Sequence, residues 1–278
     1  SEAREIVLTS FNELSPEIAK IANKFFENNW IDAEIRNGKD SGAYSHPCVP
    51  DVHPYILMNY NGKSRDVMTL AHELGHGVHQ VLASKNGYLL ADTPLTLAET
   101  ASVFGEMLVF QKLLSKADSK QEKNSMIAEK VEDMLNTVVR QIAFHNFETS
   151  FHNKRKSNEL TPDEISEIWM ETQSQALGDA INLDDSYKPL WSYIPHFVHT
   201  PFYVYAYAFG DCLVNSLWQV RLSGQSSFTE SYINLLKSGG KKHHKEALAP
   251  FGLDASDPEF WNIGLNTISS LIDELEAA

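Results

Sequence analysis

At 278 residues, with 42% hydrophobic and 22% charged side chains, the chain has the make-up of a soluble globular protein, with room for one large domain or two modest ones. Its 37 acidic against 23 basic residues give a formal charge of −14, which argues against nucleic acid and anionic membranes as partners, because both need clustered Lys and Arg. Cys48 and Cys212 are too few for a disulfide framework and form no C-x-x-C pair, no basic-then-apolar leader opens the chain, and nowhere do 18 apolar residues run together; a cytoplasmic location is expected.

The opening residues, SEAREIVLTSFNELSPE, are charged and amphipathic and start as if inside a running helix, without an initiator Met, so the expectation is a piece of a longer polypeptide. A helix follows over SPEIAKIANKFFENNWID, with Ser15 as cap, Pro16 at its first position and an apolar stripe at Ile18, Ile21, Ala22 and Phe25. Residues 36–64 are rich in Gly, Pro, Asn and Ser, with short β-like runs at Ala43 to Ser45 and Tyr55 to Asn59 that suit a small sheet or hairpin. Ser64 then caps a new helix, which Gly87 stops. Thr93 and Pro94 open a further helix with a stripe through Leu97, Val103, Leu108 and Leu113, and the run from Lys123 to Lys156 lacks Pro and Gly, reading as one long helix or two in series. Thr161 and Glu164 form a capping box at the head of PDEISEIWMETQSQALG. The aromatic block WSYIPHFVHTPFYVYAYAFGDCLVNSLWQV is mostly helical after Pro201, and two more helices close the chain. With no repeat and no flexible linker, the expected architecture is mainly α, a single catalytic-type domain over 1–278 with a small β element ahead of the 64–87 helix.

That helix carries TLAHELGHGVHQVL. His72 and His76 lie four apart, so both imidazoles project from one helical face toward a common tetrahedral metal, and Glu73 stands beside the metal, where it can deprotonate a bound water. Gly75 and Gly77 each cost about 1 kcal/mol relative to Ala within a helix; their presence implies close approach of another backbone or of a substrate. His79 falls on the same side and reads as a residue behind the ligands or facing the substrate, or equally as a satisfied polar residue at the edge. A catalytic two-histidine site needs a third protein ligand. The metzincin pattern is excluded, because it needs Gly and His where this chain has His79 and Leu82. Glu99, 23 residues after His76, is the candidate, although Thr96 and Glu99 also fit a T-x-x-E cap. Glu106, seven residues further on, is placed to accept an N–H from a ligating imidazole or to be a solvated helix charge. His145, His152 and the KKHHKE stretch read as packing or solvated residues.

With these residues in hand, the chain resembles the thimet oligopeptidase and oligoendopeptidase F family of zinc peptidases, the latter more closely. GAYS, HPYILMNY and VMTLAHELGHGVHQ look like that family's approach to its zinc helix, LAETASVFGE like the segment carrying the third ligand, and IPHFVHTPFYVYAYAFG like its His and Tyr block. The resemblance implies a zincin-type catalytic domain of packed helices with one Zn2+, held by His72, His76 and Glu99, with Glu73 as general base and Glu106 behind the ligands. It implies that a His and one or more Tyr stabilise the oxyanion: His196 first, with Tyr203 and Tyr205 as the preferred phenols and His199 and Tyr207 as alternatives. Gly42 and Tyr44 belong to a strand edge on which an extended peptide would add. The implied activity is endo-cleavage of short oligopeptides by the C-terminal catalytic part of a longer peptidase, whose N-terminal helical region would be its partner. The alternatives are a non-catalytic zinc-containing peptide-binding domain and an exo-acting, dipeptidyl carboxypeptidase-like member of the same family.

Overall fold

The computed structural model describes residues 2–277 and is built mainly of helices. Helix α1 (Glu2–Leu14) runs into α2 (Pro16–Glu27), whose Ser15 cap accepts the Glu17 amide. The amphipathic stripe of α2 is as expected, but its end is not. The helix stops at Glu27, Asn29 adopts φ 57°, and Ile31–Asp32 leaves as strand β1. Asn accepts left-handed backbone more readily than most residues, so the Asn28-Asn29 pair can turn the chain there. Strands β2 (Tyr44–His46) and β3 (Tyr55–Leu57) complete a three-stranded sheet of order β1-β3-β2, β1 parallel and β2 antiparallel to β3, with β2 at the edge.

Helix α3 (Ser64–Ala83) begins one residue earlier than a Ser64 cap would require. Lys63 holds the cap position, and the Asp66 carboxylate accepts its amide at 2.9 Å and that of Asn61 at 2.7 Å. A short 3-10 turn then ends at Gly87, whose φ of 75° is the stop that the sequence signals. The single helix expected from Pro94 onward is instead broken in two: α4 (Leu95–Ala98), a turn over 99–101, and α5 (Ser102–Lys116). Helices α6 (Lys120–Leu135) and α7 (Gln141–Arg155) lie in series, joined by a π-helical segment over Asn136–Arg140. Helix α8 (Pro162–Leu177) opens on the expected box, with the Thr161 amide donating to Glu164 at 2.7 Å. A 3-10 stretch over Asp185–Tyr193 leads to the short α9 (His196–His199). The aromatic block becomes a long helix only at Tyr205, where α10 (Tyr205–Leu222) starts, followed by α11 (Phe228–Ser238), α12 (His244–Leu248) and α13 (Pro258–Glu276). Among the described residues no helix is long and apolar enough to cross a membrane.

Three apolar clusters hold this arrangement: a small one of Met134, Val138, Cys212 and Ile268, and two larger ones. The larger of these two packs α1, α2, α3 and α5 around Phe25, Leu74, Phe104 and Met107, with Leu213, Val214 and Leu217 of α10 against them. The smaller joins α7 and α8 through Phe144, Phe147, Ile168 and Trp169, and takes in Val204 from the turn before α10. Buried side chains of these sizes each contribute about 1.5–3 kcal/mol. Helix α10 packs in the larger of these two clusters, and Val204, the residue just before it, in the smaller.

Candidate metal centre and active site

Helix α3 buries Val67, Leu70, Ala71, Leu74, Val78 and Leu82 at helical spacing, which leaves His72 and His76 on the adjoining stripe. The gap for Gly75 is backbone: a Cβ there would lie 2.4 Å from the Ala101 carbonyl oxygen and 2.6 Å from Ser102 Cα. This close approach seats the 99–102 turn on the histidine face. Gly77 meets no backbone; its Cβ would strike the Phe25 ring at 2.5 Å. Both glycines thus serve packing within the protein, one against a turn and one against an aromatic ring.

Glu99 closes α4 and is carried by the turn, which is why a continuous helix fails to describe it. Its Oε2 lies 3.5 Å from His72 Nε2 and 3.4 Å from His76 Nε2, and the two imidazole nitrogens are 3.1 Å apart. A zinc ion bonded at about 2.0–2.1 Å in tetrahedral geometry spaces its ligand atoms about 3.3 Å apart, so these three donors fit such an ion. Ser102 Oγ donates to the same Glu99 oxygen at 2.6 Å and fixes the carboxylate. Helix α10 leaves room for it: a Cβ at Gly210 would lie 2.8 Å from Glu99 Cβ.

The Nδ1 of His72 is hydrogen-bonded to Glu106 on α5, and Glu106 in turn faces the buried Lys130 of α6, 3.8 Å away. Burial opposes charge on His72, but the Glu106 hydrogen bond and the charges of Glu106 and Glu99 outweigh it and lift the imidazole to about 9. His76 goes the other way, to about 4, because burial dominates the pull of Glu99. Burial also works against the Glu106 carboxylate, yet His72 and Lys130 hold it below its ordinary range. Asp211 on α10, buried and accepting from Asn215 at 2.9 Å, is pushed up to about 6 by burial despite the charge of Lys130. Lys130, Ser102 and Asp211 have no signature in the sequence: Ser102 alone stands one turn from a named ligand.

Glu73 is 5% exposed, and its Oε2 has no hydrogen-bond partner. Burial pushes its carboxyl up to about 7, with Glu99 and Glu106 adding to the rise and His72 resisting it. It lines a cleft of about 600 Å³ together with His72, Glu99, Glu106 and Tyr207. A second cavity of about 580 Å³ is lined by His76, Trp30, His53 and Thr93, so open space adjoins the donors through each histidine.

The aromatic block supplies a compact trio. His196 Nε2 lies 3.2 Å from the Tyr207 hydroxyl, and the Tyr203 ring stacks on His196 at 5.7 Å and sits 5.1 Å from that of Tyr207. Burial and the charge of Glu99 raise the phenol of Tyr203; burial, Tyr203 and Glu99 raise that of Tyr207 further, so both remain protonated donors. Tyr205 is a correction. It packs against His145 at 5.7 Å and lines a separate apolar cavity with Ile142, Phe209 and Trp261. With α10 starting at Tyr205, two residues along a helix point roughly 200° apart, so Tyr205 and Tyr207 cannot share a face. His199 is exposed at the end of α9 and lies outside the trio. Gly42 does line the cleft, whereas the Tyr44 side chain is turned outward into a shallow hollow with Trp30, His46 and Tyr55. His79 is buried, meets Thr93 Oγ1 at 3.2 Å and lines the second cavity together with His76.

The helical fold brings His72, His76 and Glu99 together in a site able to hold one metal ion. The profile of peptidase family M3 matches residues 11–267. The chain belongs to that family. It is 31% identical over 277 residues to Oligopeptidase PepF of Bacillus subtilis (strain 168), covering 99% of this chain and 41% of that protein. It is 30% identical over 279 residues to an Oligoendopeptidase F homolog of Borreliella burgdorferi, covering 99% and 47%. A crystal structure from Chlamydophila abortus superposes with a TM-score of 0.84 at 33% identity, again over 99% of this chain and 47% of the other. The chain thus spans less than half the length of these three relatives.

Proposed function

We propose that residues 1–278 form the catalytic unit of a zinc-dependent endopeptidase that hydrolyses internal bonds of short oligopeptides in the cytoplasm, the remaining part of a longer polypeptide being its partner. The observation that carries this reading is the convergence of two imidazoles and one carboxylate at 3.1–3.5 Å beside a buried, unpartnered Glu73. A structural zinc site normally fills all four positions with protein ligands, whereas three donors next to a free carboxylate and an open cleft suit hydrolysis. The peptidase names of the relatives support the same reading.

His72, His76 and Glu99 would hold the ion, with Glu106 fixing the His72 ring. A zinc ion there supplies Lewis acidity toward the scissile carbonyl and acidifies the attacking water. Glu73 accepts the proton of that water and delivers it to the departing amine. Tyr207, Tyr203 and His196 donate to the oxygen on which charge develops. The outer edge of β2, next to Gly42, would take an extended peptide by main-chain pairing, which tolerates many sequences, once Gln80 gives up its hold on the Ser45 carbonyl.

The test is metal analysis together with cleavage of quenched oligopeptides, before and after chelation and zinc return. One zinc per chain, with hydrolysis lost and regained with the metal, is expected; zinc without hydrolysis overturns the enzyme reading. Within the trio, Tyr207→Phe lowers kcat about tenfold to a hundredfold, less than loss of a sole donor, because Tyr203 and His196 remain. Tyr205→Phe changes kcat less than about twofold, as expected for a residue remote from the chemistry. The reverse order in steady-state kinetics would reinstate Tyr205.

A further inference from the structure

Glu148, on α7, is 1% exposed. Its Oε1 accepts the Phe202 amide at 2.8 Å, 54 residues away, and its Oε2 is buried without a partner. A carboxylate so placed is costly, and an apolar side chain would pack there without that cost. What it holds is unusual as well. Phe202 is a non-glycine residue at φ 61°, in a turn where Tyr203 follows directly. The Phe202 ring is 43% exposed and rests on His152, so its own burial does little to fix the backbone. Tyr203 donates its amide to Thr200 O and accepts that of Ala206, and Tyr207 donates to Val204 O, so the turn geometry is passed into the first turn of α10.

We propose that Glu148 is a positioning residue: its carboxylate clasps the Phe202 amide, imposes the left-handed turn, and thereby sets Tyr203 against Tyr207, which lines the cleft with Glu99. The catalytic consequence rests on the proposed peptidase reading; the clasp itself does not. A charge-assisted hydrogen bond to a buried carboxylate is shorter and stronger than a neutral one, which suits it to hold a conformation that Phe disfavours. The phenols meet the reacting carbonyl only as charge develops, so misplacing them lowers kcat more than it raises KM.

Hydrogen exchange, zinc affinity and kinetics on the wild-type chain, Glu148→Met and Glu148→Gln decide the matter. In the wild type the Phe202 amide exchanges slowly despite its place in a surface turn; exchange at the rate of an unprotected amide overturns the clasp without any variant. In Glu148→Met, which keeps length but removes the acceptor, that amide exchanges at least about tenfold faster. There kcat falls about tenfold with KM held within about threefold, and zinc affinity stays within about twofold because no donor is touched. Glu148→Gln retains an acceptor oxygen and restores both exchange and kcat to within about threefold of wild type. Unchanged exchange in Glu148→Met, or an equal loss in Glu148→Gln, overturns the proposal. If the wild type cleaves no peptide, the endopeptidase reading fails by itself, and exchange alone still decides the clasp.

Discussion

On the proposed endopeptidase reading, Glu73→Gln is expected to lower kcat for oligopeptide cleavage about 10³–10⁴-fold while one zinc is still bound. The size follows from general-base catalysis, in which a positioned side chain contributes about 10²–10⁴, and this site provides no second base at the same position. Gln has the shape of Glu and no charge, so a residue that is 5% exposed and lacks a partner on Oε2 is replaced without a cavity. His72, His76 and Glu99 keep their places, and KM shifts only a few-fold. The acid limb of kcat should also disappear in the variant. Burial raises Glu73 to about 7, and a divalent cation at the adjacent donors pulls it back down, because positive charge favours the carboxylate. Activity of the wild type therefore falls as pH drops through a value below 7, where the base gains a proton. Stopped or continuous assays with quenched peptides, alongside elemental analysis, check all three points; loss of zinc together with activity would mean that Glu73 is a ligand.

Gly75→Ala is expected to weaken zinc binding about 10²–10³-fold. Helix propensity alone favours Ala over Gly by about 1 kcal/mol, so a stabilised protein would result if space allowed. It does not: the new Cβ would meet the Ala101 carbonyl oxygen at 2.4 Å and Ser102 Cα at 2.6 Å. Backbone atoms cannot rotate aside, so α3 and the 99–102 turn must separate, and Glu99 and its Ser102 anchor leave with the turn. Loss of an outer partner of a ligand costs about 10–100-fold in affinity, and displacement of the ligand itself costs more. Gly77→Ala is the control. Its neighbour is the Phe25 side chain, which can move, so overpacking costs about 1–3 kcal/mol of stability and leaves the donors in place. Competition against a chelating dye, with thermal melts on both variants, separates the two; similar zinc affinities for Gly75→Ala and wild type would contradict the close-packed turn.

Legibility differed with distance along the chain. His72, Glu73 and His76 could be read because one helix fixes their relation within five residues, and the same local geometry exposed the two glycines as anomalies. Glu99 and Glu106 were legible as positions, but the break at 99–101 was not, since a turn inside an apolar stripe leaves the stripe intact. Strand β1 escaped because two residues carry no period and its register, Ile31 with Ile56, is a long-range pairing. The choice between Tyr205 and Tyr207 depended on how packing rotates α10 about its axis, which puts Tyr207 in the cleft with Glu99 and Tyr205 in the apolar cavity beside Trp261. Lys130 and Glu148 were invisible: their partners, Glu106 and Phe202, are brought to them only by packing between helices.

On the proposed reading, two of the apolar clusters divide responsibility for the chemistry. Metal binding would depend on the cluster around Phe104 and Leu74, whereas the aromatic block would take its placement from Trp169, Phe147 and Val204. Changes in one block can therefore retune transition-state capture without altering affinity for the ion, and changes in the other can do the converse. Helix α10 is the exception, an axle shared by both: Leu213 and Leu217 fix one end in the first block, Val204 precedes it in the second, and Tyr207 stands between. Drift in sequence is tolerable on either side of that axle, but a single residue inserted into its first turn would rotate Tyr207 out of the cleft and disconnect two otherwise intact halves.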